Sequence, residues 1–334
     1  MRRATAIALA SLLALAPASP ALAYLKLGVT VNGQTVAIKW GHTPVRYFVN
    51  DTTTVPGVAP TDFAAAAGRA FDTWQGLPTA SITYQFGGYV SAQPLDDDGV
   101  STLGFLDRPD LDRVLASTDF LVDSTTGELL ESDIFFNAAY PWSTAPAGET
   151  GRFDVQTIAL HEIGHLSGLG HSALGETELR ADGGRTVIAD EAVMFPIAFA
   201  PGNISNRTPK ADDVAGLSDL YPDDGFNDRT GSISGRVTKN GQGVFGAHVV
   251  AFDPVNGTLV ANFTLNSQGA FSIAGLSPGP HVIRVEPVDD ADPESFFSSD
   301  RPPDVDFKVT FYDKLVVVPA GGDSGSIEVK VVPK

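Results

Sequence analysis

The chain has 334 residues, 43% of them hydrophobic, and its 40 acidic and 22 basic side chains leave a net charge of −18. That length and apolar content allow two domains with real cores. The acidic surplus argues against nucleic acid or an anionic membrane surface as a partner, and a chain without cysteine has no disulfide framework.

Residues 1–23 read as a secretory signal peptide. Arg2 and Arg3 give the positive start, residues 7–15 the short apolar run, and Ala21-Leu22-Ala23 an A-x-A cleavage site. Cleavage near Ala23 would leave Tyr24 first and place the protein outside the cytoplasm, extracellular or periplasmic. It would also move the charge from −18 to about −20. No other stretch is apolar enough to predict a membrane span. Residues 44–49 read as a strand. Thr61 is the expected N-cap of a helix running to about Gln75. On it Phe63, Ala67, Ala70, Phe71 and Trp74 recur at helical spacing and form a core stripe. Residues 82–86 predict a short strand. Residues 120–122 and 129–136 flank Thr126-Gly127 as a hairpin. Between them lies the acidic loop Asp96-Asp97-Asp98-Gly99. Its spacing fits no EF-hand, so it reads first as a solvated charge run, with Ca2+ binding as the alternative.

The string from His161 to His171 reads H-E-x-x-H-x-x-G-x-x-H. On a helix starting near Phe153 or Asp154, His161 and His165 share one face, so both imidazoles reach one ion. Gly168 permits the left-handed backbone that ends the helix and turns the chain, letting His171 complete a three-histidine zinc site. One position of a tetrahedral zinc ion then stays open to solvent, the mark of a catalytic site. Glu162 points beside the metal rather than at it, where a carboxylate serves as general base. The bland alternative is a buried helix with hydrogen-bonded histidines. The added glycine and third histidine at fixed offsets argue against it. After removal of Met1, Met194 is the sole methionine. Within Ala192-Val193-Met194-Phe195-Pro196 it reads as a tight turn beneath the histidines. Thr208 and Pro209 predict the cap and first residue of a last helix. His42, His248 and His281 lack ligand spacing.

These motifs resemble the metzincins, and within them the matrixins, including secreted prokaryotic members. Ser172 after the third histidine and the Val193–Pro196 turn carry the likeness. So do Asp133-Ile134-Phe135-Phe136-Asn137, Tyr140-Pro141-Trp142-Ser143 and Asp212-Asp213-Val214-Ala215-Gly216-Leu217. The resemblance spans roughly residues 40–222. It implies a metal-dependent endopeptidase acting on extended polypeptide, whose edge strand pairs with the substrate backbone. It also implies that Asp212 or Asp213 braces the Met-turn, against a solvated acidic first turn. The chain departs from the family in having no cysteine for a cysteine switch. It has no histidine between His42 and His161 for a structural zinc site, and it has a long polar stretch from Ala173 to Ala192.

Residues 223–231 read as a polar linker. Beyond it, turn signals at Asn240-Gly241, Asn256-Gly257, Gln268-Gly269 and Pro278-Gly279 separate β-rich runs, as in a small β-sandwich. Gly235-Arg236-Val237, Gly246-Ala247-His248-Val249 and Gly269-Ala270-Phe271-Ser272-Ile273 resemble carboxypeptidase-regulatory-like, transthyretin-like domains. The expected organisation is a signal peptide (1–23) and an α+β metzincin-like domain (24–222) with a twisted mixed sheet, a zinc helix and a C-terminal helix. A linker (223–231) and an all-β sandwich (232–334) follow. The expected function is a secreted, monomeric zinc endopeptidase with a polypeptide substrate. The alternative is an exported binding or adhesion protein that works through the sandwich and carries a vestigial metal site.

Overall fold

The computed structural model describes residues 9–10, 26–31, 34–181, 184–288, 291–297, 299 and 301–334. The expected signal peptide therefore lies outside the described residues, apart from Leu9 and Ala10. The first domain is built on one mixed sheet. In chain order its elements are β1 (Val45–Asn50), α1 (Pro60–Gln75), β2 (Tyr84–Val90), β3 (Thr102–Leu106), β4 (Ala116–Val122) and β5 (Glu128–Asn137). Their spatial order is β4-β5-β3-β1-β2. All neighbours run parallel except β4, which pairs antiparallel with β5 through the expected hairpin. The segment Leu9–Ala10 pairs antiparallel with the outer edge of β4, at Phe120 and Leu121.

Parallel β1 and β2 need a crossover, and α1 supplies it. The helix starts one residue before Thr61. Ala59 is its N-cap without a side-chain bond, and Pro60, with its preset φ, takes the first turn. Phe63, Ala66, Ala67, Ala70, Phe71 and Trp74 are buried as the periodicity requires. The strand expected at residues 82–86 is shifted to Tyr84–Val90. Residues 80 and 81 bond instead to Pro222 and to the Tyr221 carbonyl at the end of the last helix of this domain.

The acidic loop is tied down by strand carboxylates. Asp133 on β5 accepts the amides of Leu95 (2.6 Å) and Thr102 (2.7 Å), and Glu131 accepts that of Gly99 (2.6 Å). Burial pushes the Asp133 carboxyl up to about 7, against the two amides that favour its charge.

The zinc-motif helix α2 (Val155–Leu166) packs against α1. It is followed by a hairpin, β6 (Gly175–Leu179) and β7 (Arg185–Asp190), inside the long polar stretch. Helix α3 (Ala211–Leu220) starts later than Thr208-Pro209 implied. Lys210 is its N-cap, because the Asp213 carboxylate reaches back to the Lys210 amide (2.8 Å). The linker is not wholly irregular: α4 (Phe226–Arg229) forms one turn and buries Phe226.

The second domain is a two-sheet sandwich. Strand β8 (Gly231–Lys239) is flanked by antiparallel β11 (Ala270–Leu276) and parallel β14 (Asp323–Val331). The facing sheet pairs β9 (His248–Phe252) with β10 (Leu259–Phe263) and β12 (Gly279–Glu286), and β12 also pairs with β13 (Val316–Val318). Ile233, Val237, Val249, Phe271, Ile283 and Phe307 fill the space between the sheets. Asn240 and Gly241 both have positive φ (54° and 80°), as their turn requires. No helix among the described residues is long and apolar enough to cross a membrane.

The two domains share packing. Ala215 of α3 belongs to the sandwich core, and Leu174 and Ala192 pack with Val250 and Ala261. Val187 and Phe195 pack with Ala291, and Ala173 packs against Phe263, Val288 and Phe297.

Asp133 gives a pH test. Its folded pKa lies above its ordinary value, so its stabilising neutral form is complete below about pH 4 and is lost as pH rises through about 7. In urea unfolding, Asp133→Asn should lose less stability than wild type between pH 5 and 8, by an amount on the order of 1 kcal/mol. An identical pH slope would contradict the assignment.

Candidate metal centre

Helix α2 is fixed at both ends. At its start Asp154 accepts the Thr157 amide (2.8 Å) and hydroxyl (2.7 Å), and Arg207 clamps the same carboxylate through two nitrogens (2.6 and 2.9 Å). At its end the orphan carbonyls find donors. The Trp40 indole bonds to Leu166 O (2.8 Å), and the Tyr221 hydroxyl bonds to Ser167 O (2.9 Å). Gly168 has φ +98°, and a Cβ there would overlap the carbonyl oxygen of Ile38. Both facts demand glycine at this position. Its amide bonds to His165 O (2.7 Å), and the next amide, of Leu169, reaches Gly164 O (3.0 Å) as the chain turns back.

The turn brings the three histidines together as the motif implied. His165 Nε2 lies 3.1 Å from His161 Nε2 and 3.2 Å from His171 Nε2. Each Nδ1 is held by a backbone carbonyl: Val193 O at 2.8 Å for His161, Leu169 O at 2.8 Å for His165, and Ser295 O at 2.7 Å for His171. A carbonyl only accepts, so every Nδ1 must carry the proton and every Nε2 must be a bare lone pair. Three acceptors facing one another at this distance repel unless a cation lies between them. Tetrahedral zinc with Zn–N bonds of about 2.0–2.1 Å would separate its nitrogens by about 3.3 Å, close to the spacing seen. The residues present therefore fit the ion. Burial lowers all three imidazole pKa values, and neighbouring histidines add to the shift of His161, which falls to about 3, and of His165, so the rings are neutral and ready to coordinate. Among the described residues no other group of three His, Asp or Glu side chains converges in this way.

Glu162 does not belong to that trio. Its Oε2 accepts the Thr118 hydroxyl at 2.7 Å, and the same hydroxyl reaches Glu162 O at 3.1 Å. Burial pushes its carboxyl up to about 7. Thr118 stands on β4, so this bond ties the outer strand of the sheet to the histidine helix.

Met194 is buried under α2. A Cβ on Gly164 would overlap its sulfur, so the small residue inside the motif is what lets Met194 lie against the helix. The turn is held by Asp213, whose carboxylate accepts the amides of Val193 (2.8 Å) and Met194 (3.1 Å). The alternative left open between Asp212 and Asp213 is thus resolved. Asp212 bonds instead to the Ser172 hydroxyl (2.6 Å) and, across the domain boundary, to the Ala261 amide (2.8 Å).

Sequence comparison agrees with this geometry. Residues 39–180 match the Matrixin family model, a stretch that holds all three histidines and ends before Met194. Residues 39–180 are a matrixin domain. Residues 232–309 match the carboxypeptidase regulatory-like domain. The chain is similar to Metalloendoproteinase 1 of Glycine max, 28% identical over 48% of this chain and 45% of that protein. It is similar to Metalloendoproteinase 5-MMP of Arabidopsis thaliana, 33% identical over 26% of this chain and 19% of that protein. It is also similar to Matrix metalloproteinase-16 of Rattus norvegicus, 29% identical over 40% of this chain and 22% of that protein. The match spans less than half the length of these relatives.

The motif did not point to Thr118, Trp40, Tyr221, Gly164 or Ser295. Gly164 alone carried a signal, as a glycine inside a helix where alanine would be more stable.

Gly168→Ala should cost about 2–3 kcal/mol in urea unfolding, from a forbidden φ and the overlap with Ile38 O. It should weaken zinc binding in the same protein. Wild-type stability would show that the turn is not constrained as described.

Proposed function

We propose that the chain is a secreted zinc endopeptidase that hydrolyses peptide bonds in extended polypeptides. The observation that carries this reading is the convergence of three neutral Nε2 lone pairs, those of His161, His165 and His171. The matrixin domain and the two metalloendoproteinase relatives support it. Export rests on the leader-like residues 1–23 alone.

His161, His165 and His171 would hold the ion, which supplies Lewis-acid polarisation of the scissile carbonyl and acidifies water. Glu162 takes the proton of the attacking water and returns it to the leaving amine nitrogen. The Thr118 hydroxyl donates to Oε2 and so fixes the carboxylate rotamer, leaving Oε1 as the proton-accepting oxygen. The low-dielectric surroundings that raise the Glu162 pKa bring its basicity closer to the working pH. The outer edge of β4 gives the substrate backbone a row of hydrogen-bonding groups without demanding a sequence. The pairing of Leu9–Ala10 with this edge supports that reading. Met194 is not a ligand; it supports the floor of the site.

The test is casein cleavage by the purified chain, with and without a zinc chelator, beside Glu162→Ala. Cleavage should be abolished by the chelator, restored by zinc, and lost in the variant while zinc stays bound. Wild-type turnover by Glu162→Ala would defeat the mechanism. Thr118→Val should lower kcat on the order of tenfold with KM little changed, and Thr118→Ser should restore it. Equal kcat in Thr118→Val would remove Thr118 from the site.

A further inference from the structure

We propose that the C-terminal sandwich is a structural half of the metal centre, and that its segment 291–297 positions the third histidine. The proposal rests on the reading of the three histidines as zinc ligands. His161 and His165 receive their carbonyl partners from the first domain, at Val193 and Leu169. His171 does not. Its Nδ1 donates to Ser295 O (2.7 Å), 124 residues away in the second domain. His171 is also the one ligand outside helix α2. The ligand with least local support is therefore the one oriented by the other domain. A carbonyl on Nδ1 fixes the ring plane and raises the basicity of Nε2, so its loss weakens metal binding.

The segment that carries Ser295 is anchored on three sides. Asp292 pairs with Arg185 of the β6–β7 hairpin (3.3 Å). Ala291 packs with Val187 of that hairpin and Phe195 of the Met-turn. Phe296 sets its ring edge-on to His171, with centroids 6.4 Å apart, and packs on Phe263 of β10 at 5.5 Å. A one-turn 3-10 helix, Pro293–Ser295, fixes where the Ser295 carbonyl points. Independently, Asp212 joins Ser172, the neighbour of His171, to the Ala261 amide of the sandwich. Two separate hydrogen-bonded routes thus run from the second domain to the His171-Ser172 pair. On this account the sandwich is not an appended binding module. It completes the coordination site, and the site reaches full affinity when the two domains are docked.

The experiment measures zinc affinity of the full-length chain by competition with a chromophoric chelator. It compares wild type with Phe296→Ala, Ser295→Pro and the control Phe311→Ala. Phe296→Ala unseats the segment. Ser295→Pro removes the Ser295 amide that bonds to Asp292 O (2.8 Å) and so re-aims the carbonyl. Phe311 is 60% exposed on the sandwich and takes part in none of the contacts named above. Both segment variants should bind zinc about 10–100-fold more weakly than wild type, and the control should match wild type. NMR of the zinc-loaded chain should show a slowly exchanging His171 Nδ1–H that exchanges faster in both variants. Phe296→Leu should recover part of the affinity. A folded Phe296→Ala or Ser295→Pro chain with wild-type affinity would overturn the proposal. If one of the two fails to fold, the other decides. A wild-type chain that binds no zinc would instead refute the metal-site reading itself.

Discussion

Three imidazole nitrogens converge with their lone pairs facing inward, and the rest of the structure is arranged to hold them there. Neutral acceptors at 3.1 and 3.2 Å do not stay together unaided. The first domain fixes two of the rings by tautomer and orientation through the Val193 and Leu169 carbonyls. Those carbonyls are themselves positioned by turns, one ended by Gly168 and one braced by Asp213. The buried Asp213 is costly to ionise, since burial raises its pKa to about 6, and its amide donors and Lys210 offset that.

The sheet contributes in a different way. Its outer strand β4 presents Thr118 to Glu162 and pairs at its outer edge with Leu9–Ala10. The Glu162 carboxylate, strand β4 and the histidine helix are therefore one mechanical unit. Trp40, Tyr84 and Tyr221 gather around the last turn of α2. The first and third bond to its carbonyls, and the second bonds to the Ser167 hydroxyl at 2.6 Å. A helix whose terminal carbonyls are satisfied by buried aromatic donors has little freedom to fray.

What could be read from the sequence was local. The histidine string fixes a period, a glycine and a turn within eleven residues, helical periodicity placed α1, and the Thr126-Gly127 turn placed the β4–β5 hairpin. The Met-turn was legible because Met194 is a lone methionine followed by Phe195 and Pro196. What could not be read was set by contacts far apart in the chain. Asp212 and Asp213 are adjacent and chemically alike. Only their opposite directions on α3 separate one that braces the turn from one that reaches the sandwich. Thr208-Pro209 has ideal cap chemistry, yet the Asp213 carboxylate moves the helix start to Lys210. The residues 223–231 look like a linker by composition, although Phe226 is buried and the domains pack together. The Ser295 carbonyl has no side-chain signature at all, because the group that acts is backbone.

A zinc ion held by His161, His165 and His171 is the claim on which the rest depends, and its most direct measurement is X-ray absorption at the zinc edge of the loaded full-length chain. The expected spectrum shows one zinc per chain with three nitrogen neighbours at about 2.0–2.1 Å and one light oxygen. Zinc absent after loading, or coordinated only by oxygen, would contradict the account.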